Sequence, residues 1–316
     1  MAITSSQLIT GIKRRIVMPT SQSLFQPTDL LAFADDIISS DIVTLLESTN
    51  QEYFVYKTEI PLVASQSEYS IPYRALGRAL RELKMRDTSG NISNMPLINL
   101  EDTQLYFNSA FTGLTCGFHF LSDKIHIVPD VPATLVSNLF MQVWYRLPPS
   151  KLIEVTSAAT VASVSSPNVV VTSVPSGITV GSQVDFIQGK SGNSIYSMDI
   201  TVQNISGTTI TFNVGEVPTD LVAGDYIAPA GYSPVVNFVP NEVYSYLETL
   251  TCHRALVAQS DYEGADRLEK RMEREEKQMK MILEPRIDGE PTVIINPYSL
   301  TRSRVLSQYN NWWSGS

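Results

Sequence analysis

The apolar residues of this chain change period twice, and that constrains the fold more than any motif in it. Near the N-terminus they recur at three and four residues. From about residue 52 to 230 they fall in short β-branched and aromatic runs, and from about Pro240 the helical spacing returns. Such a chain must bury helical stripes from both its ends while carrying a long β region between them. The expected class is α+β: a helical bundle from both chain ends with a long β region between, including an inserted small β-barrel or sandwich.

Residues 4–18 read as a first helix, with Leu8, Ile9, Ile12, Ile16 and Val17 on one stripe and Pro19 after its end. Ser5 or Ser6 is the expected cap, and Lys13, Arg14 and Arg15 suit the negative end of the helix dipole. A second helix is expected over 27–46, capped by Thr28, with Leu30, Leu31, Ala34, Ile37, Ile38, Ile42, Leu45 and Leu46 on its buried side. After Pro240, Val243, Tyr246, Leu247, Leu250, Leu256 and Val257 line another stripe. Ser260-Asp261-Tyr262-Glu263 fits a capping box, so the helix is expected to break near 258–261 and restart to about Leu283. That last helix carries Glu263 with Arg267, Asp266 with Lys270, Glu273 with Lys277 and Glu276 with Lys280, each acid one turn before its base. Leu268, Met272, Met279 and Ile282 leave it a narrow apolar seam.

Between the helical ends, strands are expected at 52–60, 67–72, 118–121, 124–128 and 140–146, with an imperfect alternation over 76–87 and a short helix over 101–108. Ser122-Asp123 marks a hairpin. Residues 152–230 are rich in Ser, Thr, Val and Gly and poor in Lys, Arg and Glu. Their short strand-like runs at 160–164, 168–173, 183–187, 199–204, 208–214 and 225–228 suit a small barrel or sandwich. The expected organisation is an N-terminal helical pair (1–50), a β-rich region (51–150), the inserted β domain (151–234), a C-terminal helical hairpin (235–285) and an extended docking arm (286–316).

The arm has no sustained apolar period and so cannot build a core, yet it ends in Asn310-Asn311-Trp312-Trp313 after Tyr298, Arg302, Arg304 and Tyr309. Trp, Tyr and Arg dominate binding hot spots, so these six residues are candidates for docking on a partner chain. A tail folded back on its own domain, or one simply disordered, is the plainer alternative.

A net charge of -9 argues against a general nucleic-acid binder, while an acidic wall suits a surface that DNA must slide past. The start Met-Ala-Ile-Thr-Ser-Ser lacks a basic-then-apolar leader, no apolar run reaches membrane-spanning length, and Cys116 and Cys252 are far apart. The expectation is a soluble, unsecreted protein without disulfides and without membrane partners.

The chain offers little that could carry catalysis. Cys116-x-x-His119 with Cys252-His253 has zinc-ligand residue types, but adjacent residues on a helix diverge, and packed cysteines are the expectation. His119 and His126 are expected as a cross-strand pair, Gly189-Lys190-Ser191-Gly192 as a turn rather than a phosphate loop, and Asp35-Asp36 as exposed acids. Arg74, Arg78, Arg81, Lys84 and Arg86 form the densest basic stretch of the β region. They are candidates for salt bridges to acids of a neighbouring subunit, or for a phosphate-facing patch. No catalytic residue, metal or cofactor is expected, and the chain reads as a non-enzyme.

The order of segments resembles the head-to-tail adaptor (connector) proteins of tailed phages, in a podophage-like form. The residues that carry the likeness are Lys13-Arg14-Arg15-Ile16-Val17-Met18-Pro19, Leu30-Leu31-Ala32-Phe33-Ala34-Asp35-Asp36, Glu52-Tyr53-Phe54-Val55 and Glu59-Ile60-Pro61-Leu62-Val63. Glu68-Tyr69-Ser70-Ile71-Pro72-Tyr73-Arg74-Ala75-Leu76-Gly77 and Leu80-Arg81-Glu82-Leu83 add to it. The likeness spans about residues 1–150 and, more loosely, 240–283; the β insert lies outside it. It implies a structural virion protein synthesised in the host cytoplasm and placed at the head–tail interface. There it would form a homo-oligomeric, commonly dodecameric ring that binds the portal protein, attaches tail or nozzle proteins and continues the DNA channel without sequence-specific binding. Residues 286–316 would take the role of the portal-gripping arm. The competing expectation is another tail, baseplate or receptor-binding component, motivated by the Ser/Thr/Gly-rich insert.

Overall fold

The computed structural model describes residues 3–16, 25–50, 52–64, 66–99, 101, 117–128, 136–189 and 195–283. The chain divides into two units, Met1–Leu283 and Glu284–Ser316, and the second lies outside the described residues. So does the helix expected over 101–108, apart from Glu101. The fold is mixed α and β, with several sheets and a few helices, as the changes of period demand.

Helix α1 (Ser5–Arg15) is capped by Thr4 rather than by Ser5 or Ser6. The Thr4 hydroxyl accepts from the Gln7 N–H at 3.3 Å, and the Gln7 side chain accepts from the Thr4 N–H at 3.0 Å. Leu8 and Ile12 are fully buried on its inner side. The second stripe forms α2 (Pro27–Ile37) and α3 (Val43–Thr49), joined by one π-helical turn, Ile38–Ile42. Pro27 takes the first helical position, so Gln26 stands at the cap in place of the expected Thr28. The π turn has a local cause: the Ser39 and Ser40 hydroxyls donate to the carbonyls of Asp35 and Asp36, four residues back, and so compete with the helical ladder. The widened turn lets the adjacent residues Ile42 and Val43 both face the interior.

After a short 3₁₀ turn (Asn241–Val243) come α4 (Tyr244–Ala258) and α5 (Tyr262–Leu283), broken where expected. The cap of α5 is Asp261, whose carboxylate accepts from the Gly264 N–H at 3.0 Å; Ser260 instead occupies the left-handed region at φ 63°. Of the expected ion pairs on α5, Glu263–Arg267 and Glu276–Lys280 form, and Arg271 and Glu275 add another at 2.8 Å. Residues of α1, α2, α3, α4 and α5 contribute to one apolar core, with Leu268, Met272 and Met279 of the expected seam packed on it. Arg15 does not simply end a helix. Its guanidinium crosses to α4, donating to the Thr249 hydroxyl at 2.6 Å and pairing with Glu248 at 2.7 Å.

The β region makes two antiparallel sheets around a second core. One has the order β1-β7-β3-β4, from β1 (Val55–Pro61), β3 (Leu80–Asp87), β4 (Ile92–Asn94) and β7 (Leu139–Arg146). The other has the order β2-β6-β5, from β2 (Glu68–Ser70), β5 (Gly117–Leu121) and β6 (Lys124–Val128). The imperfect alternation over 76–87 is a 3₁₀ turn (Leu76–Arg78) followed by a register shift between Leu80 and Glu82 that leaves Arg81 without a cross-strand partner. Beyond the shift, Leu83 and Met85 of β3 face Val143 and Met141 of β7, and all four are buried.

The stretch poor in charge forms a seven-stranded antiparallel sheet, β12-β11-β15-β9-β10-β14-β13, around a core of its own. Its strands are β9 (Ala159–Ser165), β10 (Asn168–Val171), β11 (Gln183–Ile187), β12 (Ile195–Thr201), β13 (Asn204–Ser206), β14 (Thr209–Thr211) and β15 (Tyr226–Pro229). The chain enters through β8 (Lys151–Leu152) and leaves through β16 (Tyr232–Ser233), which pair in parallel and form a neck. Just past the neck, Val236 donates to the Ile3 carbonyl at 3.0 Å and Ser5 donates to the Pro234 carbonyl at 2.8 Å, so the exit is tied to the start of the chain. Phe238 follows at φ 57°, an uncommon setting for a bulky residue, and packs on the helical core, the two-sheet core and the cluster at the neck.

The cap assignment is testable by chemical denaturation. Asp261→Ala should cost about 1 kcal/mol, as loss of an N-cap does, whereas Ser260→Gly should be neutral or stabilise by about 0.5 kcal/mol because glycine takes the left-handed setting without strain.

Candidate functional site

Each member of the basic stretch lies beside an acid of its own chain, where the sequence expectation set a neighbouring subunit or phosphate against them. Arg78 pairs with Asp123, Arg81 with Glu52, Lys84 with Glu82 at 3.1 Å, and Arg86 with Glu59 at 3.4 Å. Lys84 and Arg86 also lie over the rings of Trp144 and Phe140, at 5.3 and 5.4 Å from the centroids. Most of these pairs are solvated and contribute little individually.

Arg74 differs in kind. It leaves the link between β2 and β3 and enters the seven-stranded sheet, where only 9 % of its side chain stays exposed. Its guanidinium grips Asp185 of β11 through both terminal nitrogens, at 2.8 and 2.9 Å, and one of them reaches Asp199 of β12 at 2.6 Å. Asp185 is fully buried and also accepts the backbone N–H groups of Asp199 and Gly231, both at 3.0 Å. Asp199 stands at φ 61°, a setting that Asp tolerates better than most residues, and its carboxylate also accepts from the Tyr73 hydroxyl. Burial alone would lower the Arg74 pKa, but hydrogen bonding to and the charge of Asp185, with Tyr73 and Asp199, raise it further, so the cation is held. The node joins the two-sheet region to the inserted sheet. A signal for it was present in the sequence: Asp185 is the lone acid of the strand Val184-Asp185-Phe186-Ile187, and a buried acid requires a partner.

Asp35 corrects another expectation. Asp36 is exposed and pairs with Arg254 at 3.1 Å, but Asp35 turns toward β8 and accepts the Leu152 N–H at 2.8 Å. Burial pushes its carboxyl up to about 6, against the lowering effect of that hydrogen bond and of Lys151. His119 and His126 are stacked cross-strand partners, with ring centroids 5.0 Å apart. Gly189 donates to the buried carboxylate of Asp225 at 2.9 Å, and a Cβ there would lie 2.2 Å from the Gly224 carbonyl oxygen, so the glycine answers to close backbone approach. Lys190, Ser191 and Gly192 lie outside the described residues.

Cys252 is fully buried in the helical core with its thiol against the Ile12 carbonyl at 3.6 Å, and burial pushes its pKa up to about 12; it is a packing residue. Cys116 lies outside the described residues, and among those described no group of His, Cys, Asp and Glu could hold a metal ion. The docking candidates Tyr298, Arg302, Arg304, Tyr309, Trp312 and Trp313 also lie outside them. No helix among the described residues is long and apolar enough to cross a membrane.

Two measurements check this account. Arg74→Met should destabilise the protein by about 3–5 kcal/mol in urea unfolding, because it strands a buried carboxylate, and Asp185→Leu added to it should recover part of that loss. For Asp35 the folded chain keeps a proton that the unfolded chain has released. Its contribution to stability is therefore present at low pH, falls as pH rises from about 3.8 to about 6, and is a net cost above that. Asp35→Asn retains the acceptor for Leu152, so it should flatten the pH dependence over that interval and stabilise the protein at pH 7 by roughly 1–2 kcal/mol. Compared with models of protein families and with curated proteins, the chain matches none.

Proposed function

We propose that this chain is a structural virion protein, a ring-forming head-to-tail adaptor that binds a portal, attaches the tail and continues the DNA channel. The observation that carries the reading is the single apolar core built from the helices of residues 5–49 and 244–283, with the β region spun out between them. That is the arrangement the adaptor resemblance implies, and we read the five helices as one bundle. We read the inserted sheet as a small barrel. Its edge strands β12 and β13 are separated only by Val202 and Gln203, whose N–H groups bond to Ser182 on one side and Thr211 on the other, both at 2.9 Å.

The bundle would form the body of the ring and the inserted sheet would project from it. The last turn of α5 leaves Met281 and Ile282 68 and 43 % exposed, so apolar surface is on offer at that end of the helix. Ring symmetry would multiply the modest grip of each arm. The acidic balance of the chain suits a conduit that releases DNA.

Light scattering of the full chain and of a chain ending at residue 285, each alone and with the portal protein, tests the proposal. A ring-sized complex that requires both portal and arm is the expected result. A full-length chain that stays monomeric and ignores the portal would overturn it.

A further inference from the structure

A cleft of about 420 Å³ opens beside the Arg74 node, between the inner face of the four-stranded sheet and strand β12. Tyrosines dominate its wall: Tyr56 of β1, Tyr145 of β7 and Tyr73, with Tyr56 and Tyr145 meeting edge to face at 5.8 Å. Tyr145 is only 3 % exposed, but its hydroxyl is not sealed from solvent and bonds to no described residue. A ligand that displaces water from this hydroxyl must replace its hydrogen bond, because leaving the group unpaired costs on the order of 1–3 kcal/mol. Tyr56, Thr58 and Ser70, which line the same cleft, likewise leave their side-chain hydroxyls unpaired within the described chain.

The remaining polar groups restrict what could fill the space. Among the described residues Arg74 is the only cation in the lining, and its guanidinium is committed to Asp185 and Asp199, so none of them offers a free positive charge to an anion. The Asp199 carboxylate retains 29 % exposure of its side chain and repels anions, while Arg74 beside it disfavours a second cation. An apolar occupant would leave the hydroxyls unpaired. The site therefore suits a neutral molecule that presents hydroxyl donors and acceptors on its rim and C–H faces to aromatic rings. Tyr73, 61 % exposed at the mouth, offers such a face. We infer that the cleft is a binding site for a neutral saccharide. The volume lies within the range of small-ligand sites. The sugar hydroxyls would donate to Asp199 and bond with Tyr145, and a ring face would stack on Tyr73.

Saturation-transfer NMR on the full chain, with maltose, cellobiose, lactose and N,N′-diacetylchitobiose at millimolar concentration, tests the inference. At least one disaccharide should receive saturation. Tyr145→Phe removes only the unpaired hydroxyl, so it should weaken that ligand about tenfold while leaving unfolding stability at the wild-type value. Tyr73→Ala, at an exposed position, should weaken it as well. Silence from all four disaccharides overturns the assignment, as does an affinity unchanged in Tyr145→Phe. Tighter binding of inorganic phosphate than of any disaccharide overturns the neutral class.

Discussion

A carboxylate with no access to water cannot stay charged in a protein interior unless donors surround it, and Asp185 sits in that position. Its partners come from three separate stretches of chain: the guanidinium of Arg74, the N–H of Asp199 and the N–H of Gly231. None is optional, because removing one returns a desolvation penalty that the others cannot absorb. The demand therefore sets where the inserted sheet lies against the two-sheet region. Apolar contacts between them alone would tolerate sliding; a bidentate guanidinium grip does not.

The same logic of convergence runs through the rest of the unit. The chain leaves the helical core for its β excursion and must return to bury α4 and α5 against α1 and α2. The parallel pairing of β8 with β16, the bonds from residues 234–236 back to residues 3–5, and Phe238 packed on three clusters bring it back to one place. A left-handed setting at so large a residue persists only where the surroundings fix it, and here three of the apolar clusters do so.

Elements governed by local pattern were legible in the sequence. The stripes of α1, α2 and α4, the hairpin of β5 and β6, the strand β7 and the break before α5 follow from period and turn chemistry alone. What the sequence reading missed required knowledge of a neighbour or of competing local bonds. The π turn at 38–42 depends on two serine hydroxyls taking carbonyls, and the cap of α5 on which of two adjacent polar residues turns inward. The partners of the basic stretch lie up to 125 residues away in sequence, and no spacing rule could place Arg74 against Asp185. Asp35 looked like Asp36 until the backbone of Leu152 arrived beside it.

The neck has a mechanical meaning. Because β8 and β16 run parallel, the insert is attached at the far end of one strand and the near end of the other. A pull that separates the chain before β8 from the chain after β16 therefore drags the two strands lengthwise past each other. Their cross-strand bonds, from Lys151 to Gly231 and from Ile153 to Ser233, take such a load together instead of opening one after the next. A neck built this way resists separation of its two flanking ends better than its two-residue strands would suggest.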